Sequence, residues 1–204
     1  MSKKSTILFV DGSNLYAGQY ALFGPKCYLS FSKFINELEK SIKIHFDTIS
    51  VYASYSPIPK KASQKEKAYL KNEALFYKNI RKTPNTLFFK GYRSKTSGKE
   101  KEVDVKLAVD LVDFAHKNQY SSAYLFSGDA DFLQVLLVAK KLNKDINVLC
   151  LKNKLMYKAK FYFKTYIFSF TKQQDNYFFH QKTINNNSTV IEKTWKTKSI
   201  ILCE

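Results

Sequence analysis

Five short runs of β-branched and aromatic residues alternate with four longer stretches of helical periodicity, and this alternation limits the fold more than any other feature. The predicted strands are residues 6–11, 48–54, 86–92, 122–128 and 146–151. The predicted helices are residues 31–43, 60–82, 102–117 and 131–144. Strands that alternate with helices are typical of a parallel sheet with crossover helices. We therefore predict an open α/β fold over the first two thirds of the chain.

The last quarter of the chain has a different composition. It is crowded with aromatic residues and lysines and then becomes rich in asparagine, so we predict a main domain over residues 1–155 and a C-terminal extension over residues 156–204. Four phenylalanines indicate either a further strand at the sheet edge, followed by a tail, or a base-stacking surface. They are Phe161, Phe163, Phe168 and Phe170.

The chain is strongly basic. Its 34 Lys and Arg residues outnumber its 17 Asp and Glu residues, which gives a formal net charge of +17. Clustered cations bind polyanions because counterions are released. We find no predicted helix with a basic face opposite an apolar face that the core does not need, so a membrane is a poorer partner than nucleic acid. A protein partner and a homo-oligomer are left open.

The cysteines and the N-terminal residues limit the cellular context. Cys27, Cys150 and Cys203 are scattered and far from the three histidines, so neither a disulfide framework nor a zinc site is indicated, and we expect ordinary thiols. The apolar run of residues 7–10 is too short for a signal peptide or a membrane span. We therefore predict a cytoplasmic protein.

Acidic residues follow two of the predicted strands. Asp11 closes the first strand, and Asp129 and Asp131 close the fourth. In an open parallel sheet, ligands bind at the carboxyl ends of the strands, so these acids share one crevice if the two strands are neighbours. At 100° per residue, Asp104 falls on the same stripe as Leu107 and is expected to point inward as a fourth acid.

Each of these residues also has a structural interpretation. Asp104 and Asp131 are compatible with first-turn acids that the helix dipole favours, and the segment after Asp11 with a simple turn. Asn14 either caps a helix or hydrogen-bonds Asp11, a water or a scissile phosphate. The angular argument places Asp110 on the opposite face, which solvent alone explains.

Four neighbouring carboxylates repel one another, and a hard divalent cation relieves that repulsion. Oxygen ligands with few histidines suit Mg²⁺ or Mn²⁺ rather than zinc. Such an ion orients and deprotonates water and stabilises the charge that develops on a phosphodiester.

Three segments, FVDGSNLY (9–16), EVDVKLAVDL (102–111) and LFSGDADF (125–132), resemble in this order the NYN-domain family of PIN-like ribonucleases, especially its bacterial LabA-like branch. The resemblance covers roughly residues 5–152. It implies a three-layer α/β/α sandwich with a central, mostly parallel sheet, a Mg²⁺ or Mn²⁺ site, and cleavage of single-stranded RNA. The catalytic residues it implies are Asp11, Asn14, Asp104, Asp129 and Asp131. The four aspartates among them are the implied metal ligands. The acidic ending usual for the family's last strand is not evident in FYFKTYIFSF (161–170).

Two basic stretches flank the predicted crevice. An acidic site repels phosphate, so a nuclease needs cations beside it to hold the RNA. One stretch leaves the third strand as a loop, and the other stands at the entrance to the long helix, with Tyr55 nearby for stacking. The predicted RNA-binding residues are Lys60, Lys61, Lys65, Arg93, Lys95, Lys99 and Lys101.

These features predict a metal-dependent ribonuclease that hydrolyses mostly single-stranded RNA. The alternative is a catalytically inactive RNA-binding regulator in which the acids are structural. A phosphatase with Asp11 as the nucleophile is a weaker alternative, because such an enzyme commonly has a second Asp two residues further on, where this chain has Ser13.

Overall fold

The computed structural model describes residues 5–25, 27–93, 100–152, 162–171, 179–185, 188–196 and 201–203. The strands are β1 (Thr6–Asp11), β2 (Cys27–Leu29), β3 (Thr48–Ala53), β4 (Thr86–Lys90), β5 (Tyr92–Arg93), β6 (Glu100–Lys101), β7 (Ser122–Phe126), β8 (Asp145–Leu151), β9 (Lys164–Thr171), β10 (Phe179–Asn185), β11 (Ser188–Lys196) and β12 (Ile201–Cys203). The helices are α1 (Gly12–Phe23), α2 (Phe31–Ile42), α3 (Gln64–Arg81), α4 (Val103–His116) and α5 (Leu133–Lys141), with a short 3₁₀ helix at Ala130–Phe132.

One large sheet organises the fold. Its eight strands run in the order β10-β11-β9-β8-β7-β1-β3-β4, and every neighbouring pair is parallel except β10 and β11. One apolar core packs α1, α2 and α3 against one face, and a second packs α4 and α5 against the other. Helices on both faces are what parallel crossovers require. The predicted α/β/α sandwich is confirmed.

The predicted helices form where local signals are strong. The stripe that predicted α2 is buried along its whole length, from Phe31 to Ile42. A capping box between Ser63 and Glu66 starts α3, because each side chain accepts a backbone N–H of the other. Within the described ranges, no helix is both long and apolar enough to cross a membrane.

The C-terminal segment extends the same sheet. β9 lies beside β8 and is the further strand that was predicted. It was predicted at the sheet edge, but β11 and β10 continue the sheet beyond it. Phe168 is fully buried and stacks on Phe126 at 6.4 Å between ring centroids, and Phe163 is buried too, so neither belongs to a base-stacking surface. Phe161 and the side chain of Phe170 lie outside the described residues. The boundary at residue 155 stays a prediction.

Cys27 corrects the prediction of three ordinary thiols. It is disulfide-bonded, and its backbone lies opposite that of Cys203 in the antiparallel pair of β2 and β12. Sequence spacing gives no signal for such a bond, because the two strands are at opposite ends of the chain. Cys150 is a free, buried thiol whose pKa is raised to about 12 by burial.

Candidate active site

Two neighbouring strand ends build the site. β1 and β7 are parallel and adjacent, with Val10 in register with Phe126, so the next residue of each strand, Asp11 and Ser127, leaves the sheet at the same edge. This confirms that the first and fourth predicted strands are neighbours. The carboxyl edge of such a pair is where an open parallel sheet binds its ligands.

Asp11 is held by hydrogen bonds on both carboxylate oxygens. It is only 5% exposed; its Oδ1 accepts the backbone N–H of Asn14 at 2.9 Å, and its Oδ2 accepts the hydroxyl of Ser127 at 3.0 Å. The first bond caps α1, which explains why a helix starts directly after a strand. A buried carboxylate with hydrogen bonds on both oxygens keeps a fixed orientation.

The loop after β7 is tied to the start of α1. The amide oxygen of Asn14 accepts the backbone N–H of Gly128 at 3.0 Å, and the hydroxyl of Ser127 accepts the backbone N–H of Asp129 at 3.1 Å. Asp129 Oδ1 in turn accepts the N–H of Asp131 at 2.9 Å and caps the 3₁₀ helix. Asn14 therefore holds the loop after β7 instead of capping a helix, and Asp129 caps the 3₁₀ helix in addition to lying at the predicted edge.

Ser127 is a site residue that the sequence did not reveal. Its fully buried hydroxyl links Asp11 to the backbone of Asp129, and so links β1 to β7. The only signal available in the sequence was a small polar residue at the end of an apolar run, which occurs in many turns.

The edge continues onto β3. A Cβ added to Gly12 would lie 2.9 Å from the Cβ of Ala53 and 3.0 Å from the carbonyl oxygen of Tyr52, so only glycine allows α1 to start this close to β3. Ser13 Oγ accepts the backbone N–H of Ser54 at 3.4 Å, at the end of the same strand. The start of α1 is therefore in contact with the ends of both strands that flank β1.

The helix α4 presents Asp104 and Asp110 differently from the angular prediction. Its buried stripe runs along Val103, Leu107, Leu111 and Ala115, and Asp104, one residue past Val103, is exposed in the first turn. The prediction that Asp104 shares the inward stripe is therefore wrong. The buried stripe is centred about 40° further round the helix, toward Val103, than the prediction assumed.

The prediction that Asp110 lies on a face exposed only to solvent is wrong. Its side chain is 13% exposed, and it accepts the hydroxyl of Tyr52 at 2.8 Å and the ammonium of Lys106 at 2.5 Å. Burial, and then the hydrogen bond to Asp110, raise the pKa of the Tyr52 phenol far above its usual value. These bonds attach α4 to β3.

The acids supply oxygen ligands, but the described residues do not form a complete coordination site for a metal ion. Among the described residues, no three or more His, Cys, Asp or Glu side chains come close enough together to hold one. Mg²⁺ keeps several of its waters and is usually bound through one or two carboxylates. The donor chemistry therefore fits a largely hydrated cation, whereas direct ligation by four aspartates at once does not match this arrangement.

The structure describes some of the predicted RNA-binding residues and not others. Lys60, Lys61 and Lys65 are exposed between the end of β3 and the first turn of α3. The backbones of Arg93 and Lys101 belong to the short antiparallel pair β5–β6, and their side chains lie outside the description. Lys95 and Lys99 lie outside the described residues.

Comparisons with known proteins agree with this architecture. The model of the NYN domain family matches residues 5–169. A crystal structure of a protein of unknown function from Vibrio parahaemolyticus is similar with a TM-score of 0.54 and 20% sequence identity, over 76% of this chain and 86% of that one, which shows a shared fold. Curated proteins give no significant match. The family model spans most of the chain, including all three acidic motifs, and the chain therefore belongs to the NYN domain family of PIN-like nucleases.

Proposed function

We propose that this protein is a ribonuclease of the LabA-like branch, which hydrolyses phosphodiester bonds of mostly single-stranded RNA with Mg²⁺ or Mn²⁺. The observation that carries the proposal is the link between Asp11 and Asp129 through Ser127 at the carboxyl edge of two adjacent parallel strands. A fixed pair of acids at a ligand-binding edge is a means of orienting water against a phosphodiester.

Asp129 is the acid best placed to act on substrate. Its Oδ1 is occupied by the N–H of Asp131, and no bond to its Oδ2 occurs within the described part of the chain. We assign Oδ2 the role of orienting the attacking water, directly or through the cation's hydration shell. The buried Asp11 holds the negative charge of the site in place, and Asn14 positions the loop that carries Asp129.

A divalent cation would be held by Asp11 and Asp129, with Asp104 and Asp131 contributing through water. When bound, it would lower the pKa of a water and stabilise the charge that develops on the phosphate. The excess of positive charge on the chain favours RNA as the polyanion that reaches this acidic edge. We place the activity in the cytoplasm, without a membrane partner.

The experiment is to incubate the protein with a single-stranded RNA of mixed sequence in Mn²⁺, in Mg²⁺ and in EDTA. The variant Asp129→Asn should abolish metal-dependent cleavage and keep the fold and most RNA affinity. The matched control is Asp113→Asn, because Asp113 is a surface acid paired with Lys117 and far from the strand ends. Undiminished cleavage by Asp129→Asn would contradict the assignment.

One observation favours a second candidate, an RNA-binding protein without activity. Both oxygens of Asp11 already accept hydrogen bonds within the protein, and no ligand group of three acids occurs in the described ranges. RNA binding without cleavage in every metal condition would establish this candidate instead.

A further inference from the structure

A cluster of two cations and two aromatic rings lies beside the edge strand β4. The guanidinium carbon of Arg81 lies 4.8 Å from the ring centroid of Phe88 and 5.8 Å from that of Tyr55, whose hydroxyl accepts a hydrogen bond from Arg81 at 2.6 Å. The ammonium of Lys90 lies 5.1 Å from the Tyr55 ring centroid. We call Tyr55, Arg81, Phe88 and Lys90 the Tyr55 cluster.

The Tyr55 cluster begins at the same sheet edge as the acids. Asp11 is in register with Tyr52, and Ala53 is in register with Lys90, so Lys90 ends its strand at the level of the acidic site. It lies two strands away from Asp11, which is about 10 Å across the sheet. Phe88 precedes Lys90 on the same face of β4, so the cluster runs from the acidic edge back along the outermost strand.

The rings hold the two cations without neutralising them. Tyr55 is itself supported by the buried Tyr77, whose ring meets it edge-on at 5.1 Å. In the described part of the chain, neither Arg81 nor Lys90 forms an ion pair with a carboxylate, whereas Lys106 and Lys117 are both paired with aspartates. Both cations are exposed. An ordered, uncompensated pair of cations loses little side-chain entropy when it binds phosphate.

We propose that the Tyr55 cluster binds the phosphates of the RNA strand on one side of the scissile bond and guides the strand from the acidic edge over β4. This inference rests on the proposed function, because RNA is its ligand. A cation paired with a carboxylate would have to lose that partner first. The aromatic rings that hold Arg81 and Lys90 distinguish this patch from the exposed lysines at the start of α3. Tyr55 fixes the spacing of the two cations through its ring and its hydroxyl.

The test measures RNA binding without cleavage. Each variant is made in the Asp129→Asn background with EDTA present, and binding of a single-stranded RNA of about 15 nucleotides is followed by fluorescence anisotropy over a range of salt concentrations. The variants are Lys90→Ala, Arg81→Ala and both together. Lys117→Ala is the matched control, since it removes the same charge from an ion-paired site.

Each single replacement should weaken binding about tenfold, as expected for a lost bond to a charged group. Each should also lower the slope of log affinity against log salt by about 0.7, the value for one phosphate contact on a single strand. Lys117→Ala should change neither quantity. Unchanged affinity and slope in the double variant would overturn the proposal.

The outcome separates the inference from the proposed function. Wild-type protein that never cleaves RNA, but loses affinity in these variants, would contradict the ribonuclease and support the cluster. RNA cleavage by the wild-type protein, with unchanged RNA binding when Arg81 and Lys90 are replaced, would support the ribonuclease and contradict the role of the cluster. Lys90 is exposed at the end of its strand, so Lys90→Ala stays interpretable even if Arg81→Ala unfolds the protein, which thermal unfolding will reveal.

Discussion

The hydroxyl of Ser127 connects the two acids at the acidic edge. Its hydroxyl donates to Asp11 and accepts from the backbone of Asp129, so it occupies both of its hydrogen-bonding functions in a fully buried position. Removing it leaves a buried carboxylate oxygen and a partly buried N–H without their partner. This hydroxyl is therefore one of the connections that set the distance between the two acids, beside the β1–β7 pairing and the bond of Asn14 to Gly128.

We expect Ser127→Ala to lower the free energy of unfolding by about 1–3 kcal/mol, the cost of leaving buried polar groups unpaired, and to reduce RNA cleavage strongly. Ser122→Ala is the control, because Ser122 donates to Asp145 in the same way at the exposed, opposite end of β7. Urea unfolding and the cleavage assay measure the two effects. Equal losses of stability in both variants would contradict a special role for Ser127.

At the scale of elements, α4 carries two acids that the structure separates. Asp110 joins the helix to β3 through Tyr52, while Asp104 is exposed in the first turn at the end near the acidic site. Asp110 thus bonds to the sheet, and Asp104 is exposed to solvent.

Asp110→Ala should destabilise the fold by about 1–3 kcal/mol, because the hydroxyl of Tyr52 and the ammonium of Lys106 lose their partner, and should leave cleavage by the remaining folded protein nearly unchanged. Asp104→Asn should show the opposite pattern, with a larger effect on metal-dependent cleavage than on the free energy of unfolding. Urea unfolding and cleavage rates of both variants test this. Loss of cleavage in Asp110→Ala at full folding would show that Asp110 belongs to the active site.

How well an element was predicted depends on how local its signal is. The stripe of α2 and the apolar run of β1 are complete within their own residues, so both were predicted correctly. The helix α1 was missed because Gly12, Ser13 and Gly18 interrupt any apolar periodicity. The strands β10, β11 and β12 were missed because their partners are supplied by other parts of the chain.

The same distinction applies to the site. The common position of Asp11 and Asp129 at one sheet edge was predicted because a strand end can be recognised from sequence, and the order of a parallel sheet then brings the two ends together. The orientation of Asp104 and the bond of Ser127 depend on how a helix or a neighbouring strand is rotated and placed. No periodicity within one element contains that information.

At the scale of the whole molecule, several buried phenols make the fold sensitive to high pH. Burial raises the pKa of Tyr16, Tyr52, Tyr120 and Tyr124 well above the ordinary value. In the unfolded chain these phenols ionise near pH 10. Above that pH the unfolded state binds fewer protons than the folded state, so stability falls as pH rises.

We expect the free energy of unfolding to be insensitive to these groups below about pH 9 and to fall above about pH 10, by up to about 1.4 kcal/mol per pH unit for each phenol. Tyr124→Phe should make this decline shallower by about one proton. Phe46→Leu, which changes a buried ring that contacts Tyr124 but carries no phenol, should leave the slope unchanged. Urea unfolding at a series of pH values measures the slopes, and identical slopes for both variants would contradict the explanation.

The pairing of β2 with β12 determines when the fold can be completed during synthesis. Residues 27–29 pair with residues 201–203, so β2 leaves the ribosome long before its partner exists. Closing a loop of about 170 residues is slow and carries a large entropic cost, whereas β1, β3 and β7 find one another much earlier. The acidic edge can therefore assemble on the nascent chain, and the β2–β12 ladder closes only after residues 201–203 have emerged.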